Sequence, residues 1–243
     1  MILMRLNNNA RLLLLMVVLI LGHFASKGQL SEEVKKVTPE LPGEILVDFG
    51  FNLINNAPDE MDMNWWRSKS VAIWFVKPFD LSNKISFRPG IGVNLEKLGT
   101  KDPYSVGYIE NELGQTVLGY RDIPGNTVKS QLALNYAEIP IEMRYHFSGN
   151  DKNGVYLALG GTFAFLFDDK TKIKYEISRG TIIEKNKDNI QTSKTRLSAY
   201  GRIGFGAFGA FYKWYFTDIF TNAGPPGTME TSYSTIGISV SGF

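Results

Sequence analysis

Cysteine is absent from the 243 residues, and histidine is almost absent, since His23 and His146 are the only two. The lack of cysteine excludes disulfide bonds, thiol catalysis, cysteine-ligated metals and a lipidated N-terminal cysteine. The scarcity of histidine leaves little material for metal binding or acid–base catalysis. Charged residues make up 21% of the chain and the mean hydropathy is −0.10. These values exclude a long disordered chain and a polytopic helical membrane protein.

The one long apolar run lies close to the N-terminus. Arg5 and Arg11 precede ten consecutive apolar residues at 12–21, and small residues follow. A basic start, a short apolar core and small residues predict a secretory signal peptide. A transmembrane anchor would need about 20 apolar residues. Ser26 and Gly28 stand at the usual −3 and −1 positions, so we expect cleavage before Gln29.

The basic character of the whole chain comes largely from this leader. The full sequence has 26 basic and 24 acidic residues, and loss of Arg5, Arg11 and Lys27 leaves 23 basic residues against 24 acidic ones, a net charge of −1. We therefore expect no nucleic-acid partner. The expected organisation is a signal peptide over 1–28, a short periplasmic lead-in over 29–43 and a single domain over 44–243.

Apolar residues recur with a period of two beyond residue 43, which is typical of strands with unlike faces. In residues 139–147, for example, Ile139, Ile141 and Met143 alternate with Glu142 and Arg144. The sequence is also rich in residues of strands and turns, with 24 Gly, 16 Phe and 11 Tyr. The predicted strands cover 44–54, 68–79, 84–98, 130–147, 154–167, 194–206, 208–217 and 231–243.

Eight amphipathic strands fit either a soluble β-sandwich or an outer-membrane β-barrel. The predicted strands run about 10–18 residues, long enough to cross a bilayer at a tilt, whereas soluble strands are nearer 5–6. The predicted connections also alternate long and short along the chain, as do the extracellular loops and periplasmic turns of outer-membrane barrels. An eight-stranded antiparallel up-and-down transmembrane barrel is therefore the expected fold, with both ends of the domain in the periplasm.

Several segments resemble those of PorT-like outer-membrane β-barrel proteins from Bacteroidetes. Residues 135–147 (NYAEIPIEMRYHF) resemble that family's Tyr-x-x-Ile-Pro strand, and residues 202–220 (RIGFGAFGAFYKWYFTDIF) resemble its Arg-x-Gly-(Tyr/Phe)-Gly hairpin. A Gly-Pro loop at 224–227, a strand at 236–239 and the stretch 86–92 (SFRPGIG) follow the same pattern. The resemblance covers about 44–243 and implies an eight-stranded barrel. The resemblance does not itself imply the activity of the founding member, which is needed for type IX protein secretion, and a role in secretion stays an alternative function.

The polar faces of the predicted strands carry charges of both signs. An eight-stranded barrel is only wide enough for its own side chains, and buried charges need partners. We therefore expect a side-chain-filled lumen with a balanced charge network, to which Lys213 is a further candidate, and keep a narrow small-solute channel as the alternative. The predicted network consists of Asp48, Arg88, Glu138, Glu142, Arg144 and Arg202.

A lipid-modifying enzyme is a weaker alternative, because His146 is the only histidine outside the leader. A Ser–His hydrolase of outer-leaflet lipid would need this residue near the outside, but the predicted topology puts it at the periplasmic end of the fourth strand. We expect no enzyme activity, no cofactor and no metal.

Aromatic residues of the predicted long loops have two interpretations. Trp65 and Trp66 fit an interfacial aromatic girdle. Together with Tyr104 and Tyr108 they would instead form a partner-binding surface, since exposed aromatics often anchor interfaces. The expected function is a structural or protein-interaction role through the extracellular loops, or as a subunit of an envelope complex. The expected partners are outer-membrane lipid, the barrel insertion machinery during biogenesis and other envelope or secretion-system proteins.

Overall fold

The structure, a computed structural model, describes residues 43–101, 103–123, 125–149, 154–178, 180–228 and 231–242. The predicted signal peptide and the lead-in up to residue 42 lie outside this part of the chain. The described residues form twelve strands and one short 3-10 helix (Asp59–Met61). The strands are β1 (Glu44–Asn55), β2 (Lys69–Val76), β3 (Phe79–Asp80), β4 (Ile85–Gly99), β5 (Tyr104–Glu110), β6 (Thr116–Asp122), β7 (Asn126–His146), β8 (Val155–Ile177), β9 (Gly180–Asn186), β10 (Thr195–Phe205), β11 (Phe208–Tyr215) and β12 (Ser232–Ser241).

Eight of these strands close into an antiparallel barrel. Around the ring the order is β1, β2, β4, β7, β8, β10, β11 and β12. The ring closes because β1 pairs with both β2 and β12: Phe49 lies opposite Val71 on one side and opposite Ile238 on the other. Each barrel strand corresponds to one of the eight predicted strands, so the expected barrel is confirmed.

The connections sort by length between the two ends of the barrel. Long connections follow β1, β4, β8 and β11 and lie at one end, here called the loop end. Shorter connections follow β2, β7 and β10 and lie at the other, the turn end. The tightest is the two-residue turn after β10, where Gly206 adopts φ +56°, a conformation that suits glycine. In outer-membrane barrels the long loops face outside and the short turns face the periplasm.

Three strands of the loop end do not belong to the ring. β5 and β6 form a separate two-stranded sheet within the predicted loop 99–129. The third strand, β9, lies between the fifth and sixth barrel strands. The fifth strand, β8, continues beyond the predicted end at 167 to Ile177 and forms a hairpin with β9, which ends at Asn186 before the chain returns to β10.

Alternate side chains point out of the barrel and form an apolar belt. On β8 the outward side chains of Leu159 and Phe167 are 66% and 59% exposed, whereas Tyr156 and Ala158 are buried. The belt extends along β8 over 155–167 and along β4 up to Leu95, a length that crosses a bilayer when the strand is tilted. The ends of β7 and β8 that lie nearer the loop end therefore project beyond the membrane. No helix among the described residues is long and apolar enough to cross a membrane.

Candidate functional site

All six residues of the predicted charge network point into the lumen and are buried. Near the turn end, Arg88, Arg144 and Arg202 surround Glu142. One carboxylate oxygen of Glu142 lies 2.9 Å from Arg144 Nη2, and the other accepts a hydrogen bond from Arg202 Nη1 at 2.9 Å. Arg202 also donates to Asp48 at 2.8 Å. Arg88 pairs with Glu44. These residues form one continuous chain of ion pairs across the barrel.

A second group of charges occupies the middle of the lumen around Glu138. One of its oxygens accepts from Lys213 Nζ at 2.8 Å and from Asn94 Nδ2 at 3.1 Å. The other accepts from Trp74 Nε1 at 2.9 Å. Lys213, the further candidate of the sequence analysis, therefore lies inside the barrel. The carboxylate has donors on both oxygens, as a buried charge requires.

A third group near the loop end was missed by the sequence analysis. Glu96 and Arg196 lie 2.8 Å apart with side chains 0% and 1% exposed. Tyr215 and Tyr233 donate to the same carboxylate at 3.0 Å, and the guanidinium lies 4.0 Å from the ring centre of Tyr215. The alternation of side chains along each strand could have identified both residues. Glu96 lies on the same inward face of β4 as Arg88, and Arg196 lies on the polar face of β10, next to the outward residue Leu197.

Inward glycines make room for aromatic rings in this network. A Cβ added at Gly160 would lie 2.6 Å from the Tyr200 hydroxyl, and one at Gly204 would clash with the Tyr156 hydroxyl and lie 2.5 Å from the carbonyl oxygen of Phe208. Arg144 in turn stacks 3.9 Å from the ring centre of Tyr156. In the lumen, small residues thus make room for tyrosines, on which the arginines stack.

The loop end of the lumen is closed by an apolar cluster, here called the cap. Side chains of the 3-10 helix, of the barrel strands and of the connections to β10 and β12 meet there and are buried. Ile219 is only 1% exposed and Leu134 is fully buried. The cap consists of Met61, Leu98, Leu132, Leu134, Tyr136, Ala164, Ile190, Tyr215, Ile219, Phe220 and Tyr233.

The four predicted loop aromatics do not form one surface. Trp65 and Trp66 pack edge to face, with ring centres 5.5 Å apart, and both contact Phe51 at the rim of the apolar belt. This position fits an interfacial girdle. Tyr104 and Tyr108 lie instead on β5, where the Tyr108 hydroxyl donates to the carbonyl oxygen of Asn189 at 2.8 Å.

A groove of about 420 Å³ lies between the β5–β6 hairpin and the β8–β9 hairpin. Arg121 and Glu184 join the two hairpins with an ion pair of 2.7 Å. The hydroxyl of Tyr175 donates to the same carboxylate at 2.7 Å. The hydrogen bonds from Tyr175 and Arg121 lower the pKa of Glu184. The groove therefore combines charged, aromatic and apolar side chains.

His146 lies at the turn end, as the topology predicted. It lines a cavity of about 190 Å³ together with Arg88, Arg144 and Tyr156, and its Nδ1 has no hydrogen-bond partner among the described residues. The structure thus places this histidine at the end of the barrel opposite the long connections. Over the described ranges, no three histidine or acidic side chains come together as a metal site.

Comparison with solved structures finds barrels of low sequence identity. The structure of Ail, the attachment invasion locus protein of Yersinia pestis, in complex with the heparin analogue sucrose octasulfate, is 9% identical, with a TM-score of 0.30, over 83% of this chain and all of that one. A mutant porin of Rh. blastica is 10% identical, with a TM-score of 0.16, over 82% of this chain and 99% of that one. No curated protein matches the chain.

Comparison with protein-family models finds one that covers most of the chain. The model described as "Outer membrane protein beta-barrel domain" matches residues 42–222. The matched segment includes seven of the eight barrel strands, all but β12. It therefore also includes every residue of the three charge groups of the lumen that does not lie on β12. The chain belongs to the outer membrane protein beta-barrel domain family and is an outer-membrane protein.

Proposed function

We propose that this outer-membrane barrel is a non-conducting scaffold that binds another protein through its loop end. The observation that carries the proposal is that the same long connections both close the lumen and build an ordered outer surface. The cap fills the outer mouth with apolar side chains, and the charge groups fill the barrel below it. A path for ions would have to break both.

The loop end offers unpaired strand edges for a partner. β9 pairs only with β8, and β5 pairs only with β6, so within the described part of the chain each has one edge without a neighbour. Both strands line the groove joined by Arg121 and Glu184. Exposed edges are common sites where an extended segment of another protein adds a strand. The groove therefore fits an extended peptide segment of an envelope or extracellular protein.

The binding proposal is tested in cells with a photo-crosslinking residue at Asn186, which lines the groove. The matched control places the same residue at Phe208, an exposed position at the turn end. We expect a defined protein adduct from position 186 that disappears when residues 104–122 are replaced by a short Gly-Ser linker. Adducts of equal yield from both positions, or adducts that survive the hairpin deletion, would contradict the proposal.

The non-conducting lumen is tested in planar bilayers with refolded residues 29–243. We expect no conductance above background for the wild-type protein. The channel alternative instead predicts discrete conductance steps that change when Arg88 or Arg144 is replaced. Such steps would replace the scaffold proposal by a small-solute channel.

The resemblance to PorT-like proteins supports a more specific proposal, a part in type IX secretion. It predicts that a deletion strain retains its secreted proteins inside the cell. Normal export by that strain would exclude this role, while the scaffold proposal would still stand.

A further inference from the structure

Basic side chains gather on one outer face of the barrel, immediately beyond the apolar belt. On β2 and β4 the outward series runs from the apolar pair Val71 and Leu95 to Lys69 and Lys97, two residues nearer the loop end. Seven cations of this face are here called the basic patch: Arg67, Lys69, Lys97, Lys129, Lys172, Lys174 and Lys185. An eighth, Lys170, forms an ion pair with Asp168.

The strand register sets these cations directly against each other. Lys69 lies opposite Lys97, Lys129 opposite Lys174 and Lys172 opposite Lys185. Residues that face each other across an antiparallel pair have side chains about 5 Å apart, and like charges there destabilise the sheet. Three like-charge pairs on neighbouring strands are therefore unfavourable unless an anion lies between them.

The chain itself supplies little counter-charge at this face. None of the seven cations forms an ion pair with another described residue. Two acidic side chains lie nearby on β8: Asp168 is held by Lys170 and Lys187 at 2.8 and 2.5 Å, and Glu176 stands at the far end of the strand.

The pKa of Lys129 agrees with this picture. Partial burial is the largest cause that lowers the pKa of Lys129. The surrounding cations lower this pKa further; they are Lys172, Lys97, Arg67 and Lys174. Five of the seven cations therefore lie close enough to influence one another. A charge that is both desolvated and repelled by its neighbours gains most from an added anion.

The position of the basic patch identifies the kind of anion. Lys69 lies 4.2 Å from the ring centre of Trp66, within the aromatic girdle at the membrane surface. The outward residues at the loop end of β1, β10 and β11 are Leu53, Thr195 and Trp214, which carry no charge. Lys69 and Lys97 thus lie directly beyond lipid-facing side chains, and Lys172 and Lys174 lie farther along β8 toward the loop end.

We propose that the basic patch binds the phosphate groups of an anionic outer-leaflet lipid, with the acyl chains of that lipid lying against the belt below. A lipid with two phosphates would bridge the cross-strand lysine pairs and replace their mutual repulsion with charge-assisted hydrogen bonds. A single-phosphate lipid would neutralise one pair and bind more weakly.

Native mass spectrometry of the refolded barrel measures which lipids it retains. The probes are diphosphoryl lipid A, its fully dephosphorylated form and phosphatidylglycerol, each added to the barrel in a neutral detergent. The patch variant is Lys97→Gln, Lys129→Gln and Lys172→Gln together. The matched control is Lys77→Gln, Lys84→Gln and Lys194→Gln, which removes the same charge from exposed residues outside the basic patch.

We expect tight retention of diphosphoryl lipid A by the wild type and the control variant. Near a charged lipid surface each lysine is worth about 1 kcal/mol, or about a fivefold change in affinity, so the patch variant should bind roughly a hundredfold more weakly at low salt. An unchanged gel-mobility shift on heating shows that the patch variant is folded.

Three outcomes would overturn the proposal. The first is equal retention of phosphorylated and dephosphorylated lipid, and the second is equal loss in the patch and control variants. The third is full displacement of the lipid by inorganic pyrophosphate or by a soluble sulfated polysaccharide at equal charge concentration, which would assign the basic patch to a free anion or a glycan.

Discussion

The buried pair of Glu96 and Arg196 offers the sharpest test of how the lumen is held together. Replacing Arg196 with Met keeps an unbranched side chain but removes the guanidinium. The carboxylate of Glu96 then still accepts hydrogen bonds from Tyr215, Tyr233 and Asn94 at 2.8–3.0 Å. Replacing Glu96 with Gln leaves a guanidinium whose Nε and Nη2 have no hydrogen-bond partner among the described residues.

The two changes should differ in cost. Removing one partner of a buried pair typically costs about 3–5 kcal/mol of folding free energy. Arg196→Met should fall near the lower end of this range, because the remaining carboxylate keeps three donors. Glu96→Gln should fall near the upper end, because the remaining cation loses its negative charge partner and keeps only a neutral amide oxygen and its aromatic neighbours. The double variant has no unpaired charge and should cost less than Glu96→Gln alone. This implies a coupling of about 3 kcal/mol or more between the two sites.

The measurement is equilibrium urea unfolding of the refolded barrel in phosphatidylcholine vesicles, followed by tryptophan fluorescence and by gel mobility without boiling. The control is Lys101→Met, which breaks an ion pair with Asp62 of similar length, 2.7 Å, between side chains that are 52% and 51% exposed. It should cost less than about 1 kcal/mol. Equal effects of Arg196→Met and Lys101→Met, or strictly additive effects in the double variant, would refute the role given to burial.

Other features of the barrel lead to three further predictions. Gly160→Val should displace Tyr200 and lower stability by about 1–3 kcal/mol, whereas Gly201→Ala, whose added Cβ would lie 3.7 Å from its nearest neighbour, should change stability by less than about 0.5 kcal/mol in the same urea assay. Ile219→Ala should leave a cavity in the cap and lower stability by about 2–5 kcal/mol, and an unchanged unfolding midpoint would show that the cap contributes nothing. The hydrogen bonds to Glu184 lower the pKa of its carboxyl group in the folded protein. The stabilisation by the ion pair of Arg121 and Glu184 is therefore fully present above the unfolded pKa of about 4.3, and it is lost as the pH falls through the lower pKa of the folded state. Protease cleavage of the β5–β6 hairpin should therefore increase when the pH falls below the folded pKa of Glu184. The variant Glu184→Gln should remove this pH dependence.

The ring of strands was predictable because strand parity and loop length are local properties of the sequence. On β1, Leu46 and Asp48 lie on one face, and Val47 and Phe49 lie on the other. Because side chains alternate along a strand, this assigns every side chain of β1 either to the lumen or to the lipid. The same parity placed all six predicted charges in the lumen. It also assigned Glu96 and Arg196, but the sequence analysis did not carry the inward series of β4 far enough toward the loop end.

The partners of those charges were not predictable, because pairing across the lumen depends on how the barrel closes. Asp48 and Arg202 are separated by 154 positions, and Glu96 and Arg196 by 100. No local pattern relates such residues. The β5–β6 hairpin did have a local signal, a turn in which Gly114 adopts φ +72° between two short alternating stretches. Its strands are too short to stand out from a long loop.

The charges of this protein are therefore distributed in two ways that should respond differently to salt. In the lumen, pairs such as Glu96 and Arg196 are supplied entirely by the chain, because the low-dielectric interior requires a fixed partner. On the outer face, Lys97 and Lys129 face other cations and depend on an anion from outside. Buried pairs are screened little, whereas exposed charges are largely screened once the Debye length falls from about 10 Å at 0.1 M to about 3 Å at 1 M.

Raising the salt from 0.1 to 1 M should thus release bound diphosphoryl lipid A but leave the coupling between Glu96 and Arg196 nearly unchanged. Lipid retention and urea unfolding measured on the same protein at both salt concentrations would check this. A lumen coupling that falls as steeply as lipid retention would mean that water and ions reach the lumen. In that case the cap would not seal the barrel, and the argument for a non-conducting scaffold would fail with it.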